Sequence, residues 1–140
     1  MNKKVFICFF IIIFIVLIFL SILKNDKEVV LECSATITKV DGEAFERYTF
    51  LGIGNVVHDE VLFVKLNVDD KNLLNDYKNI IESDELCKDI KMFDNYITYS
   101  CSYNLINNSF YDNLKSDDGS LTFSVLEKEF NKDNYTCIYR

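Results

Sequence analysis

Apolar and polar side chains alternate from Val29 to Lys39. Val29, Leu31, Cys33, Ala35 and Ile37 fall on one face and Val30, Glu32, Ser34, Thr36 and Thr38 on the other, the period of a half-buried β-strand with Cys33 facing inward. Asp41-Gly42 signals a turn, and the alternation resumes from Ala44 to Ile53. There, Ala44, Glu46, Tyr48 and Phe50 oppose Phe45, Arg47, Thr49 and Leu51; both sets are partly apolar, so either face could be buried. Gly52, Gly54 and Asn55 interrupt the pattern. Val61 to Val68 then predicts a third strand with Leu62, Val64, Leu66 and Val68 on one side, completing an antiparallel meander.

The period changes after Asp70, a predicted N-cap. Leu73, Leu74, Tyr77, Ile80 and Ile81 recur at helical spacing up to Ser83, giving an apolar stripe that can cover a sheet face. A hairpin is predicted from Ile90 to Phe93, through Asp94-Asn95, and on from Tyr96 to Leu105, with Ile97, Tyr99, Cys101, Tyr103 and Leu105 on one face. Phe110 and Leu114 fit a short helical turn after Asn108. Leu121 to Lys132 carries both periods, and its length and Glu/Lys content favour helix; Tyr135 to Tyr139 predicts a last short strand.

Ahead of these elements the alternation is replaced by a continuous apolar run. Val5 to Leu23 is built from Val, Ile, Leu and Phe, with only Cys8 and Ser21 departing from large apolar types. As a helix it would rise about 28 Å, close to one hydrocarbon thickness. The run is longer than the apolar core of a cleavable signal and lacks small residues at a cut site. It therefore reads as an uncleaved signal anchor, with cleavage after Ser21 or Leu23 as the alternative. Lys3 and Lys4 in the acid-free tail place that tail in the cytoplasm and the main domain outside. The expected organisation is a cytoplasmic tail over 1–4, a single transmembrane helix over 5–23, and an extracytoplasmic α+β domain over 24–140, whose helices pack on one face of a small antiparallel sheet.

Composition narrows the function. With Lys3 and Lys4 set aside, 13 basic residues face 22 acidic ones, a balance near −9 that repels a polyanion and excludes nucleic acid as a partner. Beyond Cys8 lie Cys33, Cys87, Cys101 and Cys137, an even number behind an export signal, which reads as two disulfides. Inward-facing Cys33 near the start and Cys137 near the end suggest neighbouring first and last strands. That pairs Cys33 with Cys137 and leaves Cys87 for Cys101. No pair has the C-x-x-C spacing of a zinc or thioredoxin-like site.

Catalysis by a histidine-based triad would have to use His58, the one histidine, beside Asp59 and Glu60 in an expected loop or strand edge. The acid pairs Asp59/Glu60, Asp69/Asp70, Asp84/Glu85 and Asp117/Asp118 fall at expected loops or helix starts, where acids form turns and caps. Asp118-Gly119 matches a calcium loop at those two positions alone. Gly52-Ile53-Gly54 lacks the third glycine of a phosphate cradle and reads as a bulge or hairpin turn. No catalytic residue, cofactor or metal is assigned. Among eight tyrosines, most are expected in the core, with Tyr96 and Tyr111 as candidate partner contacts.

The order of elements resembles small bacterial envelope proteins of the YehR-like lipoprotein kind. Glu32-Cys33-Ser34, Tyr48-Thr49-Phe50, Asn95-Tyr96-Ile97-Thr98-Tyr99 and the helix from Leu126 to Phe130 leading into Asn134-Tyr135-Thr136-Cys137 carry the likeness. It implies a fold and an envelope location and transfers no catalytic residues. Those proteins carry a lipid-modified Cys after a short signal, from which this chain departs by its longer apolar segment. The expected function is a non-enzymatic module, held at the cell membrane through residues 5–23, that binds an envelope protein, a cell-wall component or a small ligand. The alternatives are an accessory subunit of a membrane sensor or transporter, and a carboxylate-dependent hydrolase.

Overall fold

Val, Thr, Ile, Tyr and Phe fill the alternating segments, and these side chains suit a pleated, half-buried surface. The structure, a computed structural model, describes residues 13–18 and 27–140. Six strands form one sheet: β1 (Glu28–Lys39), β2 (Gly42–Ile53), β3 (Val56–Val68), β4 (Cys87–Met92), β5 (Tyr96–Asn104) and β6 (Thr136–Tyr139). Their spatial order is β4-β5-β3-β2-β1-β6, with every pairing antiparallel. Helix α1 (Lys71–Glu82) follows β3; a 3-10 helix (Ser109–Leu114) and helix α2 (Phe123–Lys132) lie between β5 and β6.

The described chain is thus mostly antiparallel sheet, and the expected transmembrane helix is corrected. Residues 13–18 are helical. No helix among the described residues is long and apolar enough to cross a membrane. Hydropathy alone predicted the span. The rest of the segment over 5–23, and the tail over 1–4, lie outside the described residues.

Ladder partners share a face, so register decides which side chains meet. Cys33 pairs with Tyr48, Tyr48 with Leu62, and Leu62 with Cys101; Leu31 pairs with Phe50, Phe50 with Glu60, and Glu60 with Tyr103. This resolves the ambiguity in β2 in favour of Ala44, Glu46, Tyr48 and Phe50 as the covered set. Both helices lie on that covered face. Leu74 and Ile81 of α1 bury against Ala44, Val64, Leu66, Val68 and Ile97, while Phe123 and Leu126 of α2 bury against Leu31, Cys33, Phe50 and Val57. Each such fully buried aliphatic or aromatic side chain is worth about 1.5–3 kcal/mol relative to exposure. The opposite face has no helix among the described residues, and its larger side chains cover one another. Phe45 meets Phe63 edge-on at 6.4 Å, and the Arg47 guanidinium sits 5.1 Å from the Phe63 ring centre.

Local chemistry sets the boundaries. The Asp70 side chain accepts from Asn72 N at 2.8 Å and Leu73 N at 3.4 Å, satisfying amides at the start of α1 that have no helical partner. At the other end Ser83 N donates to Asn79 O and Ile80 O, closing the helix. The disulfides join ladder partners at the two sides of the sheet: Cys33 is bonded to Cys137 across β1 and β6, and Cys87 to Cys101 across β4 and β5.

Candidate binding site

Glu60 is the one buried charged residue among those described, at 5% exposure. The expectation that Asp59 and Glu60 occupy a loop is corrected, because β3 begins at Val56 and carries both. Asp59 is exposed and Glu60 continues the inward row of Leu62, Val64, Leu66 and Val68. The strand extends this far because its start is tied down: Val57 N donates to Leu121 O at 2.8 Å, and Leu105 N donates to His58 O at 2.7 Å.

The chain after β5 folds back over this part of the sheet. Asn104 Oδ1 accepts from Ile106 N at 3.1 Å, and Asn108 Oδ1 accepts from Phe110 N at 2.8 Å, opening the 3-10 helix. Lys115 Nζ reaches back to Asn108 O at 2.8 Å and Asp112 Oδ1 at 2.7 Å. These bonds hold Tyr111 above the sheet, where its hydroxyl donates to Glu60 Oε2 at 2.6 Å. Between the 3-10 helix and the strands lies a cavity of about 220 Å³, walled by Tyr48, Glu60, Leu62, Tyr103, Leu105 and Tyr111, with Asn108 and Phe110 at its rim. Phe110 is exposed and tilts over both Tyr103 and Tyr111.

Burial pushes the Glu60 carboxyl above its ordinary value of 4.5, and the Tyr111 hydrogen bond opposes that rise. No ion pair to Glu60 exists among the described residues. The tyrosine hydroxyls are likewise pushed up: Tyr111 by burial and then by the Glu60 charge, Tyr48 by burial and then by Glu46, Tyr103 by burial and then by Asp84. They remain protonated at neutral pH, and those of Tyr111 and Tyr48 donate to Glu60 and Glu46. Glu46 has a different setting on the same face of the sheet. It accepts from Tyr135 at 2.8 Å and Tyr48 at 3.4 Å, and Lys39 Nζ lies 3.4 Å from its second oxygen. One carboxylate is therefore matched by a cation and the other is not.

Several sites expected from sequence stand apart from this cavity. His58 is the extra residue of a bulge in β3, since Leu51 pairs with Asp59 and Gly52 with Val57. A Cβ on Gly52 would lie 2.0 Å from Val56 O, which is why the tight bend next to the bulge takes glycine. Of the loop and strand edge expected for His58, the structure has the strand, where the residue is half-buried, and its ring has no hydrogen-bond partner among the described residues. It borders two shallower hollows, of about 260 Å³ beside Glu28 and Asp59 and about 240 Å³ beside Asp118 and Leu121. Asp118 is engaged locally. It accepts from Ser116 Oγ at 2.6 Å, Ser120 Oγ at 2.7 Å and Ser120 N at 2.9 Å, and these bonds hold its carboxyl down to about 2. Asp70 caps α1 and Asp84 Oδ1 accepts from Leu86 N at 2.9 Å. Among the described residues no group of three His, Cys, Asp or Glu side chains comes together to hold a metal.

Tyr96 and Tyr111, paired in the sequence reading as surface contacts, are not brought together. Tyr96 is on the open face, stacked on Phe93 at 4.3 Å with Lys65 Nζ 4.5 Å from its ring centre. Tyr111 is partly buried in the covered layer and forms a wall of the cavity. Glu60 itself was missed. Extending the inward alternation of Leu62 to Val68 back by two positions would have found it. Comparison with protein-family models, curated proteins and solved structures finds no match.

Proposed function

We propose that the chain is an exported, disulfide-braced binding module of the bacterial envelope that takes a small group of its partner into the cavity beside Glu60 and does no chemistry on it. The cavity carries this reading. It combines apolar walls at Leu62 and Leu105, hydroxyls at Tyr48, Tyr103 and Tyr111, and one buried carboxylate, the mixture of apolar surface and a few placed polar groups that distinguishes ligand sites. Tyrosine hydroxyls that stay protonated are poor partners for proton transfer near neutral pH, and His58 is not part of the wall. Two disulfides support a location in an oxidising compartment, and the resemblance to YehR-like envelope lipoproteins supports the same side of the membrane.

A thermal-shift panel of amines, amino acids, sugars and short peptides tests the proposal. A ligand present at 100 times its Kd stabilises the folded chain by about 2.7 kcal/mol. The expected result is that one chemical class raises the melting temperature and is recovered chemically unchanged. Consumption of the ligand would establish an enzyme, and the absence of any stabilising class would remove the cavity as a site.

A further inference from the structure

The charge arrangement in the cavity points to the chemistry of its occupant. We propose that the Glu60 cavity receives a primary alkylammonium group, presented either as a free amine or as the side chain of a lysine. This inference rests on the cavity being a binding site and adds the ligand class.

Glu60 Oε2 is occupied by the Tyr111 hydroxyl at 2.6 Å; Oε1 has no protein donor among the described residues and, since no sealed-off side-chain oxygen there lacks a partner, it opens to the cavity. The residue is 5% exposed, and burying a carboxylate without a balancing cation is costly. Elsewhere on the same face the fold deals with this differently, since Lys39 approaches Glu46 at 3.4 Å. A ligand ammonium in the cavity would supply the missing charge to Glu60 as a charge-assisted hydrogen bond to Oε1. The remaining wall suits the rest of such a ligand. Tyr48, Tyr103 and Phe110 offer ring faces or edges around the opening, and aromatic faces attract cations. Leu62 and Leu105 offer apolar surface to a methylene stem. Volume selects against larger occupants: about 220 Å³ lies below the roughly 300–1,000 Å³ of pockets that hold drug-sized molecules or cofactors. The acidic balance of the chain, −7 overall, favours approach of a cation.

Two-dimensional NMR of the full chain, observing the tyrosine rings, tests the inference with four probes. These are n-butylammonium and Nα-acetyl-lysine amide as the free-amine and side-chain forms, with n-pentanol and Nα-acetyl-norleucine amide as neutral counterparts. The expected result is that at least one ammonium shifts Tyr48, Tyr103 and Tyr111 and binds ten-fold or more tightly than its neutral counterpart; which of the two binds better identifies the source. Glu60→Gln keeps an acceptor for Tyr111 and should reduce the ammonium to the affinity of the neutral probe. Should that variant fold poorly, Phe110→Ala changes an exposed ring and should weaken the ammonium by about two- to five-fold, the size of an exposed cation–π contact. Equal binding of charged and neutral probes would overturn the ammonium inference and leave the cavity as a site for apolar groups. No shift of the three tyrosines with any probe would overturn the ammonium inference, and the thermal-shift panel would then decide separately whether the cavity binds another class.

Discussion

One sheet face carries two unlike layers. Under α1, Ala44, Val64, Leu66, Val68, Leu74, Ile81 and Ile97 form an aliphatic cluster whose buried members hold no polar side chain. Under α2 and the 3-10 helix the rings of Tyr48, Phe50, Phe130 and Tyr135 meet at 4.8–6.2 Å, and Glu60 is buried at their side. Both halves are bounded by a cross-strand disulfide, so the difference lies in what is buried. An aliphatic layer stabilises by packing alone. A layer that buries a carboxylate and several hydroxyls must satisfy them, and a buried acid without a cation lowers stability at neutral pH. The α1 half thus rests on aliphatic packing, and the α2 half holds the buried polar groups.

The disulfides give the largest expected contrast. Cys33–Cys137 closes a separation of 104 residues and Cys87–Cys101 one of 14. In the chain-entropy description these are worth about 4.7 and about 3 kcal/mol. Replacing Cys33 and Cys137 with Ser should therefore lower the unfolding free energy more than replacing Cys87 and Cys101, as measured by denaturant titration. An equal or reversed loss would show that strand pairing in the folded state, and not loop closure, controls each bridge. Peptide mapping without reduction should recover both linked pairs, and four free thiols would contradict the proposed oxidising location.

Leu74→Ala sharpens the comparison from the packing side. Leu74 is fully buried, and truncation of such a residue costs about 2–5 kcal/mol. The folded variant should keep the wild-type affinity for whatever fills the Glu60 cavity, because α1 contributes no wall to it. A fall in affinity as large as the fall in stability would mean that the halves are one unit.

How much of this was legible in the residues differs between the halves in the same way. The α1 stripe of Leu73, Leu74, Tyr77, Ile80 and Ile81, the Asp70 cap and the meander follow from periodicity, because aliphatic burial writes itself as spacing. Cys33 and Cys101 were also readable as inward-facing, and that orientation is what allows each to meet a cysteine on the neighbouring strand. Glu60 was not readable by the same rule, since an acid beside Asp59 marks a loop by ordinary preference. Its burial depends on the bonds from Leu105 and Tyr111, residues more than 40 positions away. Residues 5–23 illustrate the opposite failure: an apolar run predicted a spanning helix from hydropathy, whereas no helix among the described residues is long and apolar enough to cross a membrane.

The smallest expected effect is at His58. Its ring makes no hydrogen bond among the described residues and its backbone carbonyl carries the contact to Leu105, so His58→Ala should change stability by less than about 0.5 kcal/mol and leave binding intact. Loss of function in a folded His58→Ala protein would move the site to the bulge and reopen a catalytic reading.

The central claim is that Glu60 is buried at a cost to stability, without a cation of its own. Burial raises its carboxyl above 4.5 in the folded chain, so folding favours the protonated form. The contribution of Glu60 to stability is then fully present below the unfolded value near 4.5 and is lost as pH rises through the higher folded value. The most direct measurement is the unfolding free energy of the wild type and of Glu60→Gln at pH 7 and at pH 4. Glu60→Gln should be the more stable protein at pH 7, with its advantage shrinking at pH 4, where the wild-type carboxyl is largely protonated in both states. A Glu60→Gln protein that is less stable at pH 7, or a difference that does not change with pH, would contradict the account.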